Sequence, residues 1–155
     1  MALARILVDG YSLLHAWEAL APGKPRHSAA ARDELIARLT HYHDACGTPI
    51  TVVFDGAGSA PGFSPFPSTP EVEIVYSRSG QSADQLIERV AHRLAEYGEV
   101  LVVTDDFAER DTIVSAGGMF SSCLMFIQTI ENALAEMARD IERSNRNERV
   151  KFRRS

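Results

Sequence analysis

The chain has 155 residues, of which 45% are hydrophobic and 24% are charged. These values are typical of one globular domain and exclude an intrinsically disordered chain. No apolar run approaches the roughly 20 residues of a membrane span, and no signal-peptide pattern follows the N-terminus, so we expect a cytoplasmic protein with no membrane partner. Cys46 and Cys123 lie far apart without metal-ligand spacing, which argues against a disulfide framework or a zinc site.

The charge is distributed unevenly along the chain. The formal net charge is −5, yet residues 143–155 contain six basic residues and one acid. This shift predicts a domain over residues 1–142 and a basic C-terminal tail or helix extension over residues 143–155. Such a segment is suited to contact phosphates, and a solvated helix end explains the same pattern at least as well.

The segment that follows the N-terminus joins an apolar run to a carboxylate. Residues 6–8 are all apolar, which predicts a strand buried on both faces of a parallel sheet. Asp9 ends this run, and a buried carboxylate needs a hydrogen-bonding partner or a cation. Gly10 then permits a sharp turn. We interpret Asp9 as a metal ligand; the alternative is a side chain that only caps the turn.

The next elements repeat this arrangement. Ser28 is a suitable N-cap for a helix over residues 29–45, and residues 50–54 form a β-branched strand that Asp55 ends. The Gly- and Pro-rich residues 56–70 predict a surface loop. They do not form a dinucleotide-binding turn, because prolines stand where that motif requires a helix. A third strand over residues 71–76 alternates partly, which favours an edge of the sheet.

Asp84 lies in the first turn of a helix that Ser82 caps and that runs to about residue 97. The carboxylate shares one helical stripe with three apolar residues, Ile87, Ala91 and Leu94. This spacing predicts that Asp84 faces the sheet and has a functional role. The alternative is a charge that only complements the helix N-terminus.

The second half of the chain contains the clearest buried strand, residues 100–104, which ends in Asp105 and Asp106. Two adjacent acids repel each other unless they are solvated, act as caps or bind a cation; Asp106 is the more suitable cap for a helix over residues 107–116. A very short strand and a long final helix follow. The final helix has an apolar stripe predicted to be core: Leu124, Ile127, Ile130, Leu134, Met137 and Ile141.

The alternation of strands and helices predicts an α/β fold with an open, mostly parallel sheet between two helical layers. In such sheets, ligands bind beyond the carboxyl ends of the strands. Asp9, Asp55, Asp84 and Asp105 should therefore converge at one edge, where Mg²⁺ or Mn²⁺ would offset their repulsion. A site of this kind, without a Walker A loop or a nucleophilic triad, suits phosphodiester hydrolysis. Arg78 is a candidate phosphate ligand, with a solvated loop charge as the alternative.

Four segments resemble the YacP-like NYN domains, a branch of the PIN-like metal-dependent ribonucleases. They are Leu7–Trp17 (LVDGYSLLHAW), Val53–Asp55, Ser82–Asp84 with its amphipathic helix, and Val102–Asp106 (VVTDD). The resemblance implies a three-layer α/β/α PIN-like (Rossmannoid) fold and an endoribonuclease that uses Mg²⁺ or Mn²⁺. It matches Asp9, Asp84 and Asp105 to the family's acidic metal-binding positions, with Asp106 as a further ligand. Its implied partners are RNA and, as in some members, the ribosome.

The chain departs from the family pattern at Ser12, where Asp-Gly-Tyr-Asn is usual. Serine keeps a hydroxyl but lacks the two amide N–H donors. This leaves open a second hypothesis, a catalytically weakened RNA- or ribosome-binding module. A third, a phosphatase of the haloacid dehalogenase type, would need an aspartate where Tyr11 stands. The secondary site candidates are Ser12, Asp55, Arg78 and Thr104.

Overall fold

The computed structural model describes residues 3–56, 68–77 and 82–154. Within this part of the chain, five parallel strands form one sheet in the order β3-β2-β1-β4-β5. The strands are β1 (Leu3–Asp9), β2 (Ile50–Phe54), β3 (Val72–Tyr76), β4 (Glu99–Val103) and β5 (Met119–Ser121). The helices are α1 (Gly10–Ala16), α2 (Ala29–Cys46), α3 (Ala83–Leu94), α4 (Arg110–Ser115) and α5 (Cys123–Arg154). None of these helices combines the length and apolarity that crossing a membrane requires.

The central strand β1 is buried on both faces, as its continuous apolar sequence predicts. Ile6 and Val8 pack in the core on the side of α1, α2 and α5. Leu7, between them, packs with α3 and α4 on the opposite side. Successive side chains of a strand point to opposite faces, so both cores draw on the same strand. The three-layer α/β/α prediction is therefore confirmed, and β3 lies at an edge as expected.

The prediction of a turn after Asp9 is wrong, because helix α1 begins at Gly10 without an intervening loop. Gly10 is not among the glycines with a positive φ angle. Its lack of a side chain matters for packing instead: a Cβ atom at this position would overlap the ring of Phe54, which is fully buried on β2. The glycine thus allows the first turn of α1 to lie directly against the sheet.

Helix α5 packs against α1 and α2 and is fully buried only in its first turns. Its buried residues are Cys123, Phe126, Ile127 and Ile130. The prediction that the apolar stripe of this helix belongs to the core is wrong at both ends, since Leu124 is 68% exposed and Ile141 is 56% exposed. Leu124 lies beside the packing face, and Ile141 lies beyond the sheet. All residues from 138 to 150 are exposed. The structure describes residues 143–154 as a continuation of this helix.

Two further predictions fall on residues outside the described ranges. Most of the predicted loop, residues 57–67, and Arg78 belong to the parts of the chain that are not described.

Gly10→Ala should lower the free energy of unfolding by about 1–3 kcal/mol, because the added methyl group overpacks the core against Phe54. Urea unfolding followed by circular dichroism measures the change. In the double variant with Phe54→Leu, the smaller side chain should relieve the overlap, so the two costs should be less than additive. Full additivity would show that the ring is not the cause.

Candidate active site

The site lies at the point where the strand order reverses. Strands β2 and β3 lie on one side of β1, and β4 and β5 lie on the other. Such a reversal opens a crevice beyond the carboxyl ends of the two middle strands. Asp9 is the last residue of β1, and Thr104 follows the end of β4. The sheet topology therefore brings residues 95 positions apart into one place.

Asp9 has two structural roles at this crevice. Its carboxylate caps α1, accepting hydrogen bonds from the Ser12 backbone N–H at 3.3 Å and from the Ser12 hydroxyl at 3.1 Å. It also lines the cavity described below. Burial raises the pKa of Asp9 above its ordinary value, and the hydrogen bonds from Ser12 act in the opposite direction. Asp9 therefore does act as a cap, as the alternative interpretation holds, but its buried carboxylate also faces a cavity.

Asp84 reaches the same crevice from the first turn of α3. Ser82 and Gln85 form a reciprocal capping box, with Gln85 N–H donating to the Ser82 hydroxyl at 3.2 Å and Ser82 N–H donating to Gln85 Oε1 at 3.1 Å. Burial, followed by the charges of Asp9 and Asp106, raises the pKa of Asp84 to about 6. The carboxyl groups of Asp9 and Asp106 thus lie close enough to Asp84 to disfavour its ionisation. Three acids from three segments are therefore linked through Asp84.

Thr104 connects this cluster to β4. Its hydroxyl is fully buried; it donates to Asp9 Oδ2 at 3.5 Å and accepts from the Asp106 backbone N–H at 3.1 Å. Asp106 in turn caps the following 3₁₀ turn by accepting from Ala108 N–H at 3.1 Å. Thr104 therefore fixes the relative positions of Asp9 and the backbone of Asp106.

Asp105 is arranged differently from Asp106. Its Oδ1 accepts a hydrogen bond from the Cys123 backbone N–H at 2.9 Å, which caps the start of α5. Asp105 lines the same cavity as Asp9, whereas the interaction with Asp84 is made by Asp106. Burial and the nearby Asp105 charge raise the pKa of the Cys123 thiol, so this cysteine stays neutral.

Four of the predicted aspartates line a cavity of about 360 Å³. Its lining residues are Asp9, Tyr11, Ser12, His15, His27, Asp55, Ser82, Ala83, Asp84 and Asp105. Asp55 lies exposed at the rim, where its Oδ1 accepts from the buried Ser77 hydroxyl at 3.3 Å. A larger, mostly apolar cavity of about 600 Å³ lies between α3 and α4 and contains none of these carboxylates.

Sequence reasoning missed the residues opposite the carboxylates. Tyr11 and His15 come from α1, and His27 comes from the loop before α2. Tyr11 and His15 share one face of α1 at i, i+4 spacing, which was the available signal, whereas His27 lies in a loop without periodicity. Arg26 holds this loop in place, since its guanidinium group donates to backbone carbonyls at Leu14, Trp17, Leu20, Ala21 and Lys24.

The donor set fits a hard divalent cation. Among the residues that the structure describes, no three His, Cys, Asp or Glu side chains stand arranged around one metal position. Mg²⁺ does not require such a cage, because it is usually held by one or two carboxylates together with water and substrate phosphates. Asp9 and Asp84, which line the same cavity, supply two carboxylates. Oxygen donors favour Mg²⁺ or Mn²⁺ over zinc.

A parallel α/β/α sandwich with an acidic crevice at the strand reversal defines a PIN-like domain, a nuclease-like fold. Residues 6–155 match the family model of the YacP-like NYN domain, and the chain belongs to this family. The protein YacP of Bacillus subtilis (strain 168) is 31% identical over 140 residues, covering 88% of this chain and 82% of YacP.

Solved structures agree with this assignment. The crystal structure of Rae1 (YacP) from Bacillus subtilis superposes with a TM-score of 0.77 at 26% identity, covering 97% of this chain and 85% of that chain. A single-residue mutant of the same protein superposes with a TM-score of 0.73, also at 26% identity, covering 91% and 82% of the two chains. The fold and family expected from the sequence are therefore confirmed.

Asp84→Asn should stabilise the metal-free protein at neutral pH. The folded state raises the pKa of Asp84 from 3.8 to about 6, so folding disfavours the ionised form. The resulting destabilisation develops as the pH rises from about 4 to 6 and is complete above that range. The amide removes it, and the melting temperature in EDTA at pH 7.5 should rise by about 1–3 °C.

The gain in melting temperature of Asp84→Asn over the wild type should shrink as the pH is lowered towards 4. Glu88→Gln, one helical turn further along α3, is the matched control and should not raise the melting temperature. A lower melting temperature for Asp84→Asn at pH 7.5 would contradict the repulsion between these carboxylates.

Proposed function

We propose that this protein is a Mg²⁺- or Mn²⁺-dependent endoribonuclease that hydrolyses RNA phosphodiester bonds in the cytoplasm. The observation that carries the proposal is that Asp9, Asp84 and Asp105 line one cavity, with the charges of Asp9 and Asp106 close to Asp84. Carboxyl groups so close together are disfavoured in their charged form unless a cation lies between them. Membership of a nuclease-like family supports the same conclusion.

Each acidic residue has a distinct part in this proposal. Asp9 and Asp84 would hold the metal, with Asp106 as a further ligand. Asp105 lines the cavity and stays a candidate ligand, but its oxygen also caps α5, so its substitution should affect stability as well. When bound, the divalent ion supplies the activation of water and the neutralisation of charge on the phosphoryl oxygens.

Neighbouring residues would keep the carboxylates in place. Ser12 and Thr104 donate to Asp9, and hydrogen-bonded supporting groups of this kind orient metal-binding carboxylates. Asp55 lies at the rim, where it would repel misplaced phosphates or contact the metal's water shell. The expected RNA partner is single-stranded RNA or mRNA, and association with the ribosome is part of the proposal.

Asp9→Asn and Asp84→Asn should each lower kcat/KM for a single-stranded oligoribonucleotide by a factor of about 100 or more, because each removes charge from the metal site. Product analysis by gel electrophoresis in Mg²⁺ and in Mn²⁺ measures cleavage, and EDTA should abolish it. Asp111→Asn, an exposed acid on α4, is the matched control and should cleave at the wild-type rate. Undiminished cleavage by both site variants would refute the proposal.

A second candidate is a catalytically weakened RNA- or ribosome-binding module of the same fold. The observation that favours it is the exposed, basic extension of α5. Arg143 and Arg146 make only exposed ion pairs, with Asp140 at 3.7 Å and Glu142 at 2.7 Å, and such pairs contribute little to stability. Their guanidinium groups are thus positioned for phosphates.

Replacing Arg143, Arg146 and Arg149 together by glutamine tests the role of this extension, since glutamine preserves helix propensity. If each arginine contacts one phosphate, the slope of log K against log salt concentration should fall by about 2 for single-stranded RNA. Fluorescence anisotropy over a range of salt concentrations measures it. RNA binding that is strong and independent of salt in the wild type would exclude this candidate.

A further inference from the structure

A series of rings leads from the core to the candidate active site. Phe54 is fully buried, and Tyr11 packs against it edge to face with ring centroids 5.2 Å apart. His27 lies against Tyr11 at 4.3 Å with an angle of 38° between the rings, and His15 lies 5.3 Å from His27. The two histidines are exposed. They line the same cavity as the carboxylates.

The ring series is held in place by arginines. Arg32 donates to the Tyr11 hydroxyl at 3.3 Å and to the His27 backbone carbonyl at 2.8 Å. Arg26, which precedes His27, donates to the Leu20 carbonyl at 2.9 Å. The backbone on both sides of the His27 ring is thus anchored before any ligand binds, and preorganised groups lose less entropy on binding.

We propose that this ring series is a stacking surface for the base of an unpaired nucleotide. The inference rests on the proposed nuclease function and assigns the residues that would hold a base of its RNA substrate. A nucleobase is neutral, so the aspartates that line the same cavity do not repel it. Bases of single-stranded RNA stack on Tyr and His side chains, whereas the base faces in a duplex are already covered. His27 is then a positioning residue that sets the phosphodiester beside the carboxylates.

The test compares His27→Ala with His27→Phe, which keeps a ring at the same place. Binding of a fluorescent single-stranded oligoribonucleotide is measured by anisotropy in EDTA, and cleavage is measured with Mn²⁺. His27→Ala should weaken binding about five- to tenfold and raise KM by a similar factor with little change in kcat. His27→Phe should bind as the wild type does, and a fully paired duplex should bind more weakly.

Two variants support the comparison. His41→Ala removes an exposed histidine on α2, nine residues beyond Arg32, and should change neither binding nor cleavage. His15→Ala removes the outermost ring and should also weaken binding. Thermal unfolding of each variant establishes that it is folded.

Three results would overturn the inference. Wild-type RNA affinity in both His27→Ala and His15→Ala would exclude the stacking surface, and equal weakening by His27→Phe and His27→Ala would show that a ring does not suffice. A loss of Mn²⁺ binding in His27→Ala with unchanged RNA affinity would assign the imidazole to the metal. If the wild type cleaves RNA, these results refute only the stacking surface; if it neither binds nor cleaves RNA, the proposed function fails as well.

Discussion

The close approach of Asp84 to Asp9 is the constraint on which the site depends. Asp9 ends a buried strand, and Asp84 begins a helix that is held against that strand by its apolar stripe. Packing of Ile87 and Ala91 fixes α3, so the two carboxyl groups cannot separate without disturbing the core. Burial, followed by the charges of Asp9 and Asp106, raises the pKa of Asp84 to about 6, which reflects the cost of ionising Asp84 at this position. Stability contributed by the core thus maintains an arrangement that is unfavourable in the absence of a cation.

The sheet order determines which carboxylates meet. Because β1 lies between β2 and β4, the chain after β3 returns across the sheet, and α3 covers the face of β1. This crossing places the start of α3 beside the ends of β1 and β4. Asp55 follows β2, which lies on the other side of β1, and it accordingly lies at the rim. The sheet order thus explains why Asp9 and Asp84 lie close together at the centre while Asp55 lies at the rim.

The sequence predicted the sheet and most of its elements because burial on both faces leaves a direct mark, the apolar runs of β1 and β4 and the β-branched run of β2. It predicted Ser28 and Asp106 as caps for a similarly local reason. It did not predict that Asp105 also caps a helix, because the Cys123 backbone N–H that Asp105 binds at the start of α5 is brought to it by tertiary structure. His27 was missed for the same reason: no local pattern indicates that this loop residue will lie against Tyr11 of α1.

Ser12, which stands where the family pattern has asparagine, has a defined role in the structure: it hydrogen-bonds to Asp9. Its backbone N–H binds Asp9 Oδ1 and its hydroxyl binds Oδ2, so one residue contacts both carboxylate oxygens. Oδ2 also accepts a hydrogen bond from the Thr104 hydroxyl at 3.5 Å, and Asp9 lines the cavity in which a cation or water would meet its carboxylate. An asparagine would extend further into that space with its amide. Serine is smaller and still donates two hydrogen bonds to Asp9, which is compatible with the metal site of the proposed nuclease.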